Sequence, residues 1–295
     1  MANKGPIFIG GLGRSGTTLL ALMLDSHQYI KCGPELHFRA PRDLGPYILD
    51  SMQYVGKDYS LDSRPGVMFI QRVKRFGIMP EELRRILLEH PNKIVQNFKG
   101  RCALINRVAL LAMHKAAKTR WGIKIMTDIG SHLTEYAEQW QAARFIHVIK
   151  DPRDNINGLL KVNWGPDSVE AAADQWVRTI VRSRDKARKN KIRLYEVNFN
   201  QLVLDTEITI RKALGWLGEI YDPNVLRHHE MPHTFIDHPA GHPSADQVKH
   251  PIDASYIGRF KEGLTAVQIE TIEKMTMPYI KELGFINGKV NAGIA

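Results

Sequence analysis

A glycine-rich stretch near the start of the chain has the residue types of an anion-binding loop. It reads Gly-Gly-Leu-Gly-Arg-Ser-Gly-Thr-Thr over residues 10–18 and directly follows the apolar run Pro6–Ile9. The residues after it, up to Asp25, contain neither glycine nor proline and favour a helix. A strand, a glycine-rich turn and a helix N-terminus present backbone N–H groups and a positive dipole end to an anion. The pattern therefore predicts a phosphate-binding loop.

The loop departs at one position from the P-loop that binds nucleoside triphosphates. Gly11 and Gly16 have the P-loop spacing, but the next residue is Thr17, where a P-loop carries the lysine that contacts the β- and γ-phosphates. The cation of this loop is instead Arg14. The combination suits a terminal phosphate or a phosphosulfate, with no γ-phosphoryl transfer. An ordinary strand-to-helix turn without a ligand is the alternative that the loop alone leaves open.

A second strand-to-helix turn carries further cations. The apolar run Ala143–Ile149 ends in Lys150-Asp-Pro-Arg, and the proline favours the start of a helix at this point. A cation-bearing turn of this kind predicts a second anion site. Glu35 lies just beyond another strand-like run, where the carboxyl edge of a parallel sheet, the usual ligand side of such folds, would place it.

The elements that must position these residues indicate an α/β fold with a P-loop-like parallel sheet flanked by helices. Five runs have the composition of short strands, namely Pro6–Ile9, Tyr29–Cys32, Trp121–Met126, Ala143–Ile149 and Ile192–Val197. Residues 41–118 lack a strong strand pattern and show helical periodicity in Val67–Phe76, Pro80–Glu89 and Cys102–Lys118. We therefore expect a single domain over residues 1–295, with a helical insertion at about 41–118.

Composition narrows the class of ligand and the compartment. The net charge of +10 favours anionic ligands. Nucleic acid is disfavoured, because the cations are mixed with acids and lack an interleaved aromatic platform. Two cysteines, Cys32 and Cys102, give no disulfide framework and fit a reducing compartment. Without an apolar leader or a run long enough to span a bilayer, the sequence predicts a cytoplasmic protein with no stable membrane insertion.

Three short stretches resemble the opening of a known enzyme family. They are Gly13–Leu19, Met23–His27 and Cys32–Glu35, and they look like sulfotransferases that use 3′-phosphoadenosine-5′-phosphosulfate (PAPS). The chain is most similar to the tyrosylprotein-sulfotransferase-like branch and its bacterial relatives. In that family the loop holds the 5′-phosphosulfate. The resemblance therefore implies the sulfotransferase fold and a donor-binding role for Gly13, Arg14, Ser15, Gly16, Thr17 and Thr18.

The resemblance continues at the second turn, where the family binds the 3′-phosphate of PAPS. Lys150 replaces the family's usual first arginine, which keeps the charge but loses the bidentate fork. Gly158 stands where the family usually has a serine that contacts this phosphate. The contact would then fall to Lys161, Asn157, a backbone group or water.

Two C-terminal stretches also resemble nucleotide-binding parts of the family. Phe199 occupies an aromatic position near the nucleotide, although a phenylalanine buried under a loop explains it equally well. The stretch 244–251 resembles a segment that folds over the nucleotide, with Ser244 as a donor to the leaving phosphate. The family has its lysine immediately before the proline; here that position is His250 and the lysine is Lys249, so which of them faces the phosphate stays open.

The candidate general base is Glu35. A carboxylate beside a bound phosphosulfate tends to have a raised pKa, which suits proton abstraction near neutrality; a surface glutamate that caps a helix is the alternative. His37 is the second candidate base. Arg14 and, by resemblance, Lys124 would stabilise the charge that develops on the leaving phosphate. No metal is required, and the histidines near residues 227–242 lack metal-ligand spacing.

The resemblance implies a PAPS-dependent sulfotransferase that sulfates a hydroxyl, or as the less favoured choice an amine, and releases 3′,5′-adenosine diphosphate (PAP). The acceptor could be a small molecule, a sugar, a lipid or a tyrosyl peptide, because acceptor pockets are built by the variable regions at about 36–118 and 228–243. An atypical P-loop kinase and a non-catalytic protein that senses PAP or phosphate are the alternatives. The oligomeric state cannot be read from the sequence.

Overall fold

The computed structural model describes residues 4–36, 65–89, 98–125, 128–234 and 248–285. The strands of this part are β1 (Ile7–Gly10), β2 (Ile30–Gly33), β3 (Arg120–Lys124), β4 (Arg144–Ile149) and β5 (Leu194–Asn198). The α-helices are α1 (Thr17–Asp25), α2 (Pro65–Arg75), α3 (Pro80–Leu88), α4 (Phe98–Lys115), α5 (Leu133–Gln139), α6 (Pro152–Leu159), α7 (Val169–Lys189), α8 (Phe199–Leu204), α9 (Thr206–Leu217), α10 (Phe260–Gly263) and α11 (Ala266–Glu282). Short 3-10 turns cover Ile129–Ser131, Pro223–Glu230 and Ala254–Tyr256.

The strands form one five-stranded sheet in the order β2-β3-β1-β4-β5. β2 and β3 run parallel, with Ile30 opposite Arg120, and β4 and β5 run parallel, with Phe145 opposite Leu194. Non-consecutive neighbours in a parallel sheet require crossover connections, which the helices provide. The predicted parallel sheet flanked by helices is confirmed.

The predicted positions of the elements agree with the structure to within a few residues. Each of the five strand-like runs overlaps a strand, and the three predicted helices of the insertion correspond to α2, α3 and α4. Residues 41–64 and 90–97 of the predicted insertion lie outside the described residues. Hydrophobic periodicity was sufficient for these predictions because each helix buries one apolar face.

The residues group into two compact units. The first comprises Met1–Ile7, Thr18–Met126 and Asp222–Pro251, and the second comprises Phe8–Thr17, Thr127–Tyr221 and Ile252–Ala295. The first unit therefore contains β2, β3 and α2–α4, and the second contains the glycine-rich loop, β4, β5 and α5–α11. That the whole chain behaves as a single domain stays a prediction.

In the first unit, the end of α2 packs on the end of β2. A Cβ atom added to Gly33 would lie 2.5 Å from the ring of Phe76, which occupies the space beside the strand. Cys32, the neighbour of Gly33, and Cys102 on α4 are both buried and carry free thiols. This packing fixes the position of the last turn of α2.

In the second unit, two apolar clusters hold the turns that bear cations. Leu12 of the glycine-rich loop is buried against Ile149, Leu159, Trp176 and Ile180. Ile156 of α6 is buried in a separate cluster with Val169 of α7 and Phe260 of α10. The loop and α6 are therefore anchored by side chains that point into the interior, which leaves their polar groups available on the other face.

None of the helices in the ranges given above is both long enough and apolar enough to cross a membrane.

Candidate active site

The glycine-rich loop has the backbone conformation of an anion nest. Arg14 and Gly16 both have positive φ angles, 65° and 97°, and the N–H of Ser15 donates to the carbonyl of Leu12 at 3.1 Å to close the turn. The loop runs directly into Thr17, the first residue of α1. A left-handed arginine is uncommon and costs on the order of 1–3 kcal/mol, and such residues cluster at functional sites.

Two glycines of the loop are required because neighbouring atoms leave no room for a side chain. A Cβ atom on Gly16 would lie 2.2 Å from Cδ2 of Phe199, and one on Gly11 would lie 2.4 Å from the carbonyl oxygen of Val148. Phe199 is 6% exposed. Its ring therefore supports the loop from beneath, as in the interpretation of a phenylalanine buried under a loop. A contact between Phe199 and a nucleotide stays a prediction.

The side chain of Arg14 runs alongside α6 at Gly158. A Cβ atom added to Gly158 would lie 3.3 Å from Cβ of Arg14 and 3.9 Å from its Nε atom. Burial lowers the pKa of the Arg14 guanidinium from its ordinary value. Gly158, which the sequence analysis compared with a serine of the family, is therefore adjacent to the partly buried guanidinium of Arg14.

Lys150 is a second cation close to Arg14. Its Nζ atom lies 4.8 Å from the centre of the Phe199 ring. Burial lowers the pKa of Lys150, Asp154 acts in the opposite direction, and the positive charges of Arg14 and Arg259 lower the pKa further. Two desolvated cations that repel each other are stabilised by an anion placed near both. The geometry therefore supports an anion site formed by the loop and the second turn.

The neighbours of Lys150 in the second turn hold the start of α6 in place. Asp151 accepts a hydrogen bond from the N–H of Arg153 at 3.0 Å and caps α6. The Arg153 guanidinium forms ion pairs at 2.7 Å with both Asp151 and Glu273 of α11. These charge-assisted contacts raise the pKa of Arg153. Arg153 therefore fixes the start of α6.

Two asparagines of α6 bind backbone groups. Nδ2 of Asn155 donates to the carbonyl of Gly13 at 2.7 Å, which ties α6 to the loop. Nδ2 of Asn157 donates to the carbonyl of Arg259 at 3.2 Å, and a Cβ atom on Gly263 would lie 2.2 Å from its Oδ1 atom. The side chain of Asn157 thus faces the turn at 259–263, and its contact with a phosphate stays a prediction.

In the first unit, Glu35, Lys124 and Thr18 form one contiguous set of contacts. Nζ of Lys124 lies 3.1 Å from Oε1 of Glu35 and donates to Oγ1 of Thr18 at 2.7 Å. The side chain of Lys124 is 6% exposed, whereas that of Glu35 is 28% exposed. Thr18 is the second residue of α1 and follows the last loop residue directly. The predicted base, the predicted stabilising lysine and a hydroxyl of the loop sequence therefore lie together.

Two arginines of α2 adjoin Glu35, and the sequence analysis did not single them out. NH1 of Arg72 donates to the main-chain carbonyl of Glu35 at 3.0 Å. Burial lowers the pKa of Arg72, with Glu35 acting in the opposite direction. Burial and then the charge of Arg72 lower the pKa of Arg75 to about 10. The spacing of three residues places both on one face of α2, but this spacing alone does not distinguish them from exposed cations of the same helix such as Lys74.

An exposed tryptophan lies beside the loop. Trp164 follows α6 and is 60% exposed. A Cβ atom on Gly13 would lie 2.8 Å from its ring. The absence of a side chain at Gly13 is therefore a packing requirement as well as a condition for close approach of a ligand to the backbone.

The predicted roles of four further residues are not tested by the described contacts. Lys249 and His250 are exposed, and a contact of either one with the nucleotide stays a prediction. Ser244 and the alternative base His37 lie outside the described residues.

The histidine-rich segment after α9 participates in a buried hydrogen bond with Asp25. Nδ1 of His233 lies 2.8 Å from Oδ2 of Asp25, and its Nε2 atom lies 2.9 Å from the carbonyl of His228. Burial raises the pKa of the Asp25 carboxyl, but the His233 hydrogen bond and the charges of Lys31 and Lys118 outweigh burial and bring the pKa below its ordinary value. Among the residues whose placement is described, no group of three or more histidine, cysteine or acidic side chains could hold a metal ion.

Sequence similarity to known proteins covers most of the chain. The family described as "Sulfotransferase family" matches residues 6–223. The protein-tyrosine sulfotransferase of Drosophila melanogaster is 27% identical over 268 residues, which are 86% of this chain and 46% of that protein. Protein-tyrosine sulfotransferase 1 of Danio rerio is 23% identical over 290 residues, which are 95% of this chain and 72% of that protein. The chain thus spans less than half of the Drosophila relative.

Two solved structures share the fold. The sulfotransferase domain of the Synechococcus PCC 7002 olefin synthase superposes with a TM-score of 0.62 at 21% identity, over 94% of this chain and 97% of that one. The sulfotransferase domain from the curacin biosynthetic pathway gives a TM-score of 0.55 at 15% identity, over 93% of this chain and 97% of that one. At these identities the likeness is evidence of a shared fold.

Proposed function

The chain belongs to the sulfotransferase family, and we propose that it transfers a sulfuryl group from PAPS to a hydroxyl of an acceptor, with an amine as the less favoured acceptor, and releases PAP. The observation that carries this proposal is the position of the Lys124 ammonium between Oε1 of Glu35 and Oγ1 of Thr18. A carboxylate, a buried cation and a hydroxyl from the loop sequence are the groups that such a transfer requires.

The residues of the second unit fit the donor. PAPS is strongly anionic, and the loop offers a backbone nest, the Arg14 guanidinium and the N-terminus of α1. Lys150, whose pKa is depressed by burial and by its cationic neighbours, gains from an anion beside it. We assign the 5′-phosphosulfate to residues 13–18 and the 3′-phosphate to Lys150 and the start of α6. Lys249 or His250 is a further candidate contact of the nucleotide.

In the proposed transfer, the carboxylate acts as the base and the cations stabilise negative charge. The sulfuryl group and the phosphate leaving group come from PAPS. Glu35 accepts the proton of the acceptor hydroxyl as its oxygen bonds to sulfur, and the bond from sulfur to the phosphate oxygen breaks. Lys124 lies 3.1 Å from Oε1 of Glu35, which places a cation beside the proposed base. Arg14 and Lys124 are the cations that stabilise the developing negative charge.

The test is transfer of radiolabelled sulfate from PAPS to a panel of a tyrosyl peptide, glucosamine and 4-nitrophenol. We expect labelled product with at least one hydroxyl acceptor, no requirement for Mg²⁺, and loss of product in Glu35→Gln. Transfer of the γ-phosphoryl group of ATP with Mg²⁺ instead would show that the enzyme is a kinase. Tight binding of PAP with no transfer to any acceptor would favour the non-catalytic alternative.

A further inference from the structure

We propose that Arg72 is a positioning residue for Glu35. It fixes the main chain of the proposed base and keeps a positive charge beside the carboxylate. This inference rests on the proposed function of Glu35, and no motif in the sequence points to it. Arg72 lies on α2, a helix for which the sequence analysis predicted helical periodicity and no site residue.

The contact is specific and buried. NH1 of Arg72 donates to the carbonyl oxygen of Glu35 at 3.0 Å, and Arg72 is 8% exposed. Lys74, two residues further along the same helix, is exposed. Because burial of a guanidinium costs several kcal/mol unless its donors are satisfied, a buried arginine in this position needs a strong partner. Glu35 supplies that partner through its carbonyl and its charge.

The packing of α2 fixes where Arg72 can reach. The N–H of Phe76 donates to the carbonyl of Arg72 at 3.0 Å, and the Phe76 ring occupies the space beside Gly33. Gly33 lies two residues before Glu35 in the chain. The same turn of α2 therefore contacts the end of β2 with an aromatic ring and the following residues with a guanidinium, which restricts the main chain at two points.

Arg72 and Lys124 contact different parts of Glu35. Arg72 donates to its main-chain carbonyl, whereas Nζ of Lys124 pairs with Oε1 of its carboxylate. Arg72 therefore acts on the main chain of the proposed base, and Lys124 acts on its side chain.

The electrostatic part of the proposal can be measured directly. In protein labelled with ¹³C at the glutamate carboxyl carbon, the Glu35 resonance is identified by its loss in Glu35→Gln and titrated by NMR. We expect Arg72→Met to raise the pKa of the Glu35 carboxyl by about one unit, because the variant removes a positive charge that interacts with this carboxylate. The matched control Lys74→Met removes an exposed cation of the same helix and leaves this pKa unchanged.

Two further variants separate charge from geometry. Arg72→Lys keeps the charge, so the pKa of Glu35 stays near that of the parent protein, but it loses the planar fork and lowers turnover. Arg72→Gln removes the charge with a smaller change in polarity and serves where Arg72→Met does not fold. A Glu35 pKa that is equally unmoved in both neutral variants would overturn the proposal.

Binding of PAP to the same variants distinguishes this inference from the proposed function. A positioning residue for the base leaves the Kd of PAP within about twofold of the parent value, since it holds no part of the donor. If the parent protein failed to bind PAP, the proposed function would fail while the NMR result still decided the role of Arg72. If PAP bound normally and turnover of Arg72→Lys matched the parent, the positioning role would be wrong.

Discussion

Arg14 and Lys150 are two partly buried cations, and the positive charge of Arg14 lowers the pKa of Lys150. Arg14 belongs to the turn after β1, and Lys150 belongs to the turn after β4. Both are strand-to-helix turns that carry cations. Burial of both charges costs free energy in the absence of an anion. That cost is the physical reason to expect a phosphate-bearing ligand at these turns.

The first prediction concerns the affinity for PAP. Lys150→Met and Arg14→Ala should each weaken binding by about 10- to 100-fold, because each removes a charged hydrogen-bond donor worth about 1.5–3 kcal/mol. The control is Arg178→Ala on α7, whose side chain is 61% exposed and pairs with Asp174. Titration calorimetry checks all three variants. A loss in the control equal to that in Lys150→Met would indicate a nonspecific effect of net charge.

The second prediction concerns the pH dependence of this binding. PAP favours the protonated form of Lys150, so affinity should fall as pH rises through the pKa of Lys150 in the free protein. Since that pKa is depressed by burial, the fall begins below the ordinary lysine value of about 10.4. Lys150→Arg stays charged at every accessible pH and should flatten the alkaline limb. If Lys150→Arg showed the same alkaline fall in PAP affinity as the parent protein, that fall would have to arise from another titrating group.

The third prediction uses two glycines with similar backbone angles. Gly16 and Gly77 have φ values of 97° and 93°, but a Cβ atom on Gly77 would meet nothing within 4 Å. Gly77→Ala should therefore cost about 1–2 kcal/mol of backbone strain and leave PAP binding intact. Gly16→Ala adds a clash with Phe199 and should abolish PAP binding as well. Urea denaturation and calorimetry on both variants make the comparison, and equal effects would contradict it.

The fourth prediction separates chemistry from donor binding. Glu35→Gln should lower kcat by about 10²–10⁴-fold, the usual contribution of a general base, while PAP binds normally. Glu89→Gln is the control, since Glu89 follows α3, pairs with Arg107 of α4 and has 50% of its side chain exposed. Single-turnover kinetics with labelled PAPS measure the chemical step. A Glu35→Gln enzyme with the parent rate constant would exclude Glu35 as the base.

The fifth prediction concerns acid stability. The pKa of Asp25 lies below its ordinary value, so its contribution to the free energy of unfolding is present above the unfolded-state pKa of about 3.9 and is lost as pH falls through the lower folded-state value. Asp25→Asn should cost about 3–5 kcal/mol at pH 7, because it leaves the buried partner cations without their counter-charge.

Urea denaturation from pH 7 to pH 3 tests this prediction. The difference in stability between the parent and Asp25→Asn should shrink as the pH approaches 3. Asp185→Asn, at a side chain 42% exposed, should leave the pH profile nearly unchanged. A constant difference at every pH would mean that the carboxylate charge is not the source of the stability.

The sequence was sufficient for the features that depend on local pattern. Apolar runs located the strands, and the spacing from Gly11 to Gly16 located the loop because its conformation requires glycine at defined positions. Glu35 and Lys124 were proposed by resemblance, and the structure places their charged atoms 3.1 Å apart. The distance itself could not be predicted, since it depends on how the ends of β2 and β3 align.

The features that the sequence did not predict depend on long-range packing. Arg72 and Lys74 are nearly adjacent on α2, yet one is buried against Glu35 and the other is exposed. The side chains of Asp25 and His233 form a buried hydrogen bond across 208 positions of the chain. No local composition distinguishes a cation that will be buried by a distant element from one that stays in water.

Calorimetric titration of PAP into the purified protein, with ATP–Mg²⁺ as competitor and Arg14→Ala as control, tests donor identity most directly. We expect PAP to bind with a micromolar Kd, ATP–Mg²⁺ to compete poorly, and Arg14→Ala to weaken the binding of PAP by about 10- to 100-fold. Binding of ATP–Mg²⁺ without binding of PAP would contradict PAPS dependence and favour a kinase. Binding of neither would contradict an intact nucleotide site at the loop and at Lys150.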